Sequence, residues 1–292
     1  MSDPARGLSS EELRLHPGAD GEVAVDPARA GWRYLSFRVA TITAPLDVGG
    51  GGVETAVVVL GGGGARVGEL ELPGRRSVWE GLPSAAYLPP GVSATVAPLG
   101  QFLLVAVATA PASGRETVSG PVGIGPEQVS IETRGAGGAT RQINHIITPE
   151  FGADRLEVVE VFTPAGNWSS WPPHKHDTDD MPNEAILEEI YHYRFRRPEA
   201  WGIQRLYRRP ESPAAEASGP RDALFAVRHG DVAIVTDGYH PFTATHGDDA
   251  YYLNALAGDR RTMACSFDPD LDWVRETWPT MAPDPRLPLV AR

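Results

Sequence analysis

An all-β chain, organised as two β-barrels in tandem, is the architecture this sequence predicts, and three observations carry it. The 32 Gly and 27 Pro are dispersed between short apolar runs, which is the punctuation of many turns and short strands. The 292 residues exceed one small domain and fit two ordinary ones or a double barrel, with 41% hydrophobic and 22% charged residues placing the chain among globular proteins. A local pattern also recurs. Ser84-Ala85-Ala86-Tyr87-Leu88-Pro89-Pro90-Gly91 resembles Asp231-Val232-Ala233-Ile234-Val235-Thr236-Asp237-Gly238, each a small apolar strand that ends in a Gly turn.

In chain order, residues 1–30 are polar, broken by Pro17, Gly18, Gly21 and Pro27, and read as an irregular lead-in. A first barrel is expected over 31–115, with β-type runs at 34–42, 53–60, 65–72, 84–88 and 102–108. The glycines at 49–52 and 61–64 lack the Lys-Ser/Thr of a phosphate loop and read as hairpin glycines. Residues 116–140, dense in Pro, Gly and Ser, are the expected connector. A second barrel follows over 141–292, with strands at 155–163, 174–176, 188–195, 204–208, 232–236 and 251–256. Its Pro-rich end, 269–292, carries Trp273 and Trp278 and is expected to pack over a barrel wall or a partner subunit. If Gly91 matches Gly238, Ser93 stands in the place of His240. No His occurs between residues 17 and 144, so only the second barrel can carry a His-based metal site.

Charge and composition exclude several functions. A net charge of −12 offers no cationic footprint for nucleic acid. No apolar run reaches the length of a membrane span, and no N-terminal apolar segment resembles a signal peptide. The single Cys265 cannot form an internal disulfide, which fits a reducing cytoplasm. Lys175 is the one lysine, so Schiff-base chemistry would have to fall on it alone.

The chemistry concentrates in Asn167-Trp168-Ser169-Ser170-Trp171-Pro172-Pro173-His174-Lys175-His176-Asp177. The Pro pair keeps the chain extended, and on a strand His174 and His176 then face one point while Lys175 faces away. In Glu188-Glu189-Ile190-Tyr191-His192-Tyr193-Arg194-Phe195, alternation puts Glu189, Tyr191, Tyr193 and Phe195 on one face. Glu188, Ile190, His192 and Arg194 fall on the other, which leaves either carboxylate open as an inward group. His240 follows a turn at Asp237-Gly238-Tyr239. Three imidazoles and one carboxylate suit Zn, Mn, Fe or Ni and leave one or two positions for water or substrate. His246 reads as a loop residue or substitute ligand; His145, His192 and His229 read as structural or exposed, and His16 lies in the lead-in. Trp168 and Trp171 read as packing rather than sugar stacking, and the acidic 177–180 segment as a solvated loop.

His-x-His, a later Glu and a His after a Gly turn resemble the metal motif of the cupin superfamily. The twelve residues between His176 and Glu189 exceed the commonest cupin spacing. That long spacing, with Thr163-Pro164-Ala165-Gly166-Asn167-Trp168-Ser169-Ser170, Glu188-Glu189-Ile190-Tyr191 and Gly238-Tyr239-His240-Pro241, resembles the 5-deoxy-glucuronate isomerases of myo-inositol breakdown. The resemblance implies a bicupin with one divalent metal (Zn, Mn or Fe) on His174, His176, Glu189 and His240, and selects Glu189 over Glu188. It implies an aldose–ketose isomerisation of 5-deoxy-glucuronate to 2-deoxy-5-keto-gluconate, and by analogy a homo-oligomer. Candidates for proton transfer are Glu189, Tyr191 and Tyr252; candidates for the substrate carboxylate are Arg141, Arg205 and Arg208. The competing readings are a related uronate ketol-isomerase, an iron-dependent dioxygenase and a non-catalytic sugar-acid-binding cupin.

Overall fold

The computed structural model describes residues 8–291; residues 1–7 of the expected lead-in and Arg292 lie outside the described residues. Two large antiparallel sheets dominate. The first carries Ala85–Leu88, Val53–Val67, Leu103–Pro111 and Ser36–Ile42 as consecutive neighbours. The second carries Val232–Val235, Leu187–Phe195, Ala250–Gly258 and Leu156–Thr163 in the same order. A smaller sheet of Trp168–Ser169, Phe242–Ala244, Trp201–Tyr207 and Asp222–Arg228 lies with the second half of the chain.

The central strands are apolar on both faces because both faces are covered. Val57 and Val59 turn to one side and pack with Ala65, Val67, Leu72, Leu88 and Val96. Ala56, Val58 and Leu60 turn to the other and meet Ile190, Val232, Ile234, Leu253 and Ala255 of the second sheet. The far side of the second sheet encloses Val159, Val161, Tyr191, Tyr193, Phe242 and Tyr252. Each buried Val, Leu or Ile contributes roughly 1.5–3 kcal/mol, so this back-to-back packing is the main force joining the halves.

Register supports the repeat. Thr55 pairs with Leu88 as Glu189 pairs with Val235, and a Gly with positive φ follows three residues later in each half, Gly91 and Gly238. Thr55 and Ser93 therefore stand at the first-half positions of Glu189 and His240.

Buried carboxylates bind the halves reciprocally. Glu54 accepts hydrogen bonds from the backbone N–H groups of Asp154, Arg155 and Leu156 (2.7, 2.6 and 2.8 Å). Glu188 accepts from those of Arg33, Tyr34 and Leu35 (2.6, 2.9 and 2.8 Å). Arg75 crosses from the first sheet to the buried Glu160, which also accepts from the Tyr251 hydroxyl at 2.8 Å.

Several expectations are corrected. The segment 116–140, expected as the connector, also carries strands: Val122–Ile124 adds to the first sheet beside Ala85–Leu88, and Ser130–Arg134 to the second beside Arg141–Ile147. The lead-in is also ordered in part. Arg14–Leu15 pairs with Val232 and Ala233 of the second sheet, while Val23–Val25 pairs with the first. The run 65–72 is two strands rather than one, because Val67 pairs with Leu70 across a two-residue hairpin whose Gly68 has φ +56. The Pro-rich end does pack on the chain itself. Val290 is buried, and the Gln142 side chain accepts from the backbone N–H groups of Leu289 and Val290 and donates to the Val290 carbonyl. Among the described residues, no helix is long and apolar enough to cross a membrane.

Candidate metal centre and active site

Each half of the His-x-His-to-Glu loop is fixed by its own chemistry. His174–Lys175 pairs with Ser266–Phe267, which holds the histidines in extended backbone. Lys175 turns away from them to Asp177 (2.6 Å) and to both oxygens of Glu184 (2.8 and 2.9 Å). Glu184 also accepts from the backbone of Asp177 and Thr178, and Asp177 accepts from the Gly238 N–H at 2.8 Å. The start of the acidic loop is thus a clasp between the His176 segment and the His240 turn; only Asp179 and Asp180 have the solvated character expected.

His176, Glu189 and His240 come together, with one ligand atom of each lying within 4.8 Å of the others and all three side chains buried. His176 Nδ1 faces the Leu187 carbonyl at 2.9 Å, and His240 Nδ1 the Gly238 carbonyl at 3.0 Å. Those carbonyls accept, so each Nδ1 carries a proton and each Nε2 is the atom turned toward the site. The two Nε2 atoms then point at one oxygen, Glu189 Oε2, at 2.8 and 3.3 Å; His240 Nε2 is buried and makes no hydrogen bond. The other Glu189 oxygen accepts from Asn254 Nδ2. Three electron-pair donors converging in a buried site, each oriented by an outer hydrogen bond, is a donor set that fits a divalent cation. His174 lines the same cavity with its ring 4.7 Å from that of His240 and 6.4 Å from that of His176, outside the close trio.

Glu189 and the imidazoles are strongly coupled: burial lowers His176, but the Glu189 carboxylate outweighs it and raises the ring above the ordinary imidazole range. Burial raises the Glu189 carboxyl, but His176 and His240 outweigh it and hold the group down at about 2. Burial pushes His174 well below the usual imidazole range, and His240 and His176 push it further. Glu188, the alternative carboxylate, lies on the opposite strand face and is spent on the backbone of residues 33–35.

His174, His176 and Glu189 face a cavity of about 300 Å³. Tyr191 and Tyr252 stack on its wall with ring centroids 4.5 Å apart. The Tyr191 hydroxyl is 3.0 Å from that of Ser170, a non-glycine residue in the left-handed region at φ +50. Burial holds both phenols above their ordinary range; for Tyr252, Ser169 and Arg141 pull the other way. Of the three candidate arginines, only Arg141 lines the cavity. Its guanidinium donates to the Ala139 and Trp171 carbonyls at 3.1 Å and makes no ion pair among the described residues; burial lowers it to about 10. Arg205 is paired with Asp222 and stacked on Tyr207, and Arg208 is paired with Asp237, so both are committed away from the cavity.

Sequence reasoning missed Asn254, Arg134, Arg275, Trp278 and Cys265, all of which line the cavity. Asn254 had a signal, two residues beyond Tyr252 on one strand. Arg134 and Arg275 had none, since they come from segments read as connector and tail. Trp168 and Trp171 lie against each other, ring centroids 4.9 Å apart, with Trp168 exposed.

Fold and site together define an all-β protein of the bicupin kind, with its candidate metal centre in the second half. The chain belongs to the KduI/IolB family, whose model matches residues 13–274. It is 36% identical over 275 residues to the 5-deoxy-glucuronate isomerase of Geobacillus thermodenitrificans (strain NG80-2), covering 89% of this chain and 94% of the relative. It is 34% identical over 255 residues to that of Shouchella clausii (strain KSM-K16), covering 84% and 89%. Among solved structures, an IolB-like protein from Salmonella typhimurium LT2 superposes with a TM-score of 0.80 at 31% identity, over 90% of this chain and 98% of that one. An oxalate decarboxylase from Lactobacillus farciminis shares the fold, with a TM-score of 0.59 at 9% identity and 91% of each chain covered.

Proposed function

We propose that this chain is a metal-dependent aldose–ketose isomerase that converts 5-deoxy-glucuronate to 2-deoxy-5-keto-gluconate. The observation that carries the reading is that His176 and Glu189 of the buried donor trio share one cavity with the unpaired Arg141 guanidinium. A sugar acid brings two matching ends, a carbonyl with its neighbouring hydroxyl and a carboxylate. Kinship with relatives that bear the isomerase name, over nearly their whole length, supports the choice of substrate.

His176, Glu189 and His240 would hold the metal, with His174 the proposed fourth ligand; Zn, Mn and Fe all suit this donor set. A divalent ion there supplies Lewis-acid polarisation of the substrate oxygens. Arg141 binds the carboxylate end and so fixes which carbon approaches the tyrosines. The reaction removes the proton from the hydroxyl-bearing carbon beside the aldehyde and returns one to the former aldehyde carbon. Tyr191 and Tyr252, neutral because burial raises their phenols, serve as proton donors to substrate oxygen rather than as resting bases. Both Glu189 oxygens are engaged, which favours a ligand role over that of a mobile base. The single free Cys265 fits a cytoplasmic setting, and a homo-oligomer is proposed from barrel-edge pairing; light scattering that gives a clean monomer would remove it.

Proton NMR of the protein with 5-deoxy-glucuronate, before and after chelation and metal return, tests the reading. Conversion that is lost on chelation and restored by metal supports it, and turnover in heavy water should label the new hydroxymethyl carbon. Faster turnover of a pectin-derived deoxy-ketouronate would move the assignment to the related isomerase. A metal-loaded protein that converts neither substrate sinks it and leaves the oxygenase and binding-module readings.

A further inference from the structure

We propose that the crevice on the reverse face of the Leu187–Phe195 strand, where His192, Arg194, His229 and Arg76 meet, binds the phosphate group of a small organic anion. While Glu189, Tyr191 and Tyr252 line the cavity, His192 and Arg194 line this second space of about 440 Å³. His192 is only 1% exposed, yet neither ring nitrogen has a hydrogen-bond partner. Buried imidazoles are nearly always satisfied, so an aimed, unpartnered ring points to a missing ligand. Arg194 is half-buried and makes no ion pair among the described residues, in a chain with 38 acidic against 26 basic residues. The lining includes no Asp or Glu, although Arg76 is paired with Glu80 at 2.5 Å, and it adds Thr41 and Ser77.

The donor set fits phosphate. A guanidinium presents a planar fork to two phosphate oxygens. Burial, then the charges of Arg194 and His229, hold His192 well below the ordinary imidazole range, so its ring is neutral with one donor and one acceptor nitrogen. His229 has Nδ1 3.2 Å from both the backbone nitrogen and the carbonyl of Phe195. The lining also carries Val39, Leu60, Phe102 and Leu104, which gives an organic body apolar surface in the same crevice as the charged end.

The test is calorimetric titration of the metal-loaded protein with inorganic phosphate and with phenyl phosphate, on wild type, Arg194→Gln, Arg76→Gln and Arg141→Gln. The expected result is saturable binding at one site per chain, tighter for phenyl phosphate. It should weaken roughly tenfold in Arg194→Gln, measurably in Arg76→Gln, and not in Arg141→Gln. Arg76 is exposed and pairs only with the half-exposed Glu80 four residues on, so its variant keeps the test valid if Arg194→Gln fails to fold. Equal binding of both ligands with the same variant pattern assigns the site to the free anion and keeps the crevice. No saturable binding of either ligand, or loss in Arg141→Gln alone, overturns the proposal.

Discussion

Arg141 and Glu157 each bury a charge-bearing group without an opposite charge at hydrogen-bonding distance, and their consequences differ. Arg141 faces the cavity, where a substrate carboxylate can supply the missing charge. Arg141→Gln should raise KM for the sugar acid roughly 10- to 100-fold, the effect of losing a charged hydrogen bond, while metal content stays at the wild-type value. Steady-state kinetics beside elemental analysis checks both. Glu189→Gln should do the reverse, removing most of the bound metal by the same elemental analysis. Glu157 is 0% exposed with neither oxygen partnered, and burial pushes its carboxyl up to about 7. Its folded pKa lies above the unfolded value, so its share of stability is full below about pH 4.5 and is lost as pH rises through 7, by up to about 3 kcal/mol. Glu157→Gln should match wild type at pH 5 and exceed it at pH 8 in denaturant midpoint; equal loss in both proteins would remove this explanation.

Elements position these residues, and the His240 turn is the most exacting. Gly238 has φ +79, and a Cβ there would lie 2.5 Å from the Tyr207 carbonyl oxygen. Gly238→Ala should therefore cost roughly 1–3 kcal/mol of backbone strain and displace His240, seen as lower thermal stability together with lost metal. That turn was legible in the sequence because Gly and His stand two apart after an apolar strand. Alternation placed His174 and His176 toward one cavity, though His174 stays outside the close trio, and the long apolar strands were legible too. Ser130–Arg134 was not, since its exposed edge presents no apolar run, and Arg14–Leu15 is too short to carry a period. The three candidate arginines looked alike because an ion-pair partner is a fact of tertiary structure. Asp222 and Asp237, which occupy Arg205 and Arg208, lie 17 and 29 residues away along the chain. The choice of Glu189 over Glu188 came from the motif's position alone, because strand alternation does not say which face meets the first sheet.

At the scale of the whole molecule, stability rests on contacts between halves. Glu188 lies in the second half but is satisfied by the backbone of the first, and Glu54 does the converse. Glu188→Ala or Glu54→Ala leaves three backbone N–H groups without their acceptor and should cost roughly 3 kcal/mol or more. Because each clasp spans the shared core, both variants should still unfold in one transition, shifted to lower denaturant. Two separated transitions in either variant would show that the halves are independent.

The Arg14–Leu15 strand has a consequence for biosynthesis. Its place at the edge of the second sheet is secured by His16, whose ring lies 2.7 Å from Asp231, 215 residues further along the chain. Leu13, fully buried in the second core, emerges from the ribosome long before any strand that will cover it. Translation therefore leaves this leading segment unclaimed while the first sheet and most of the second are still being made. The second sheet takes it up only after nearly the whole chain has been made, so a nascent chain stalled before residue 232 carries an exposed apolar end that chaperones can read.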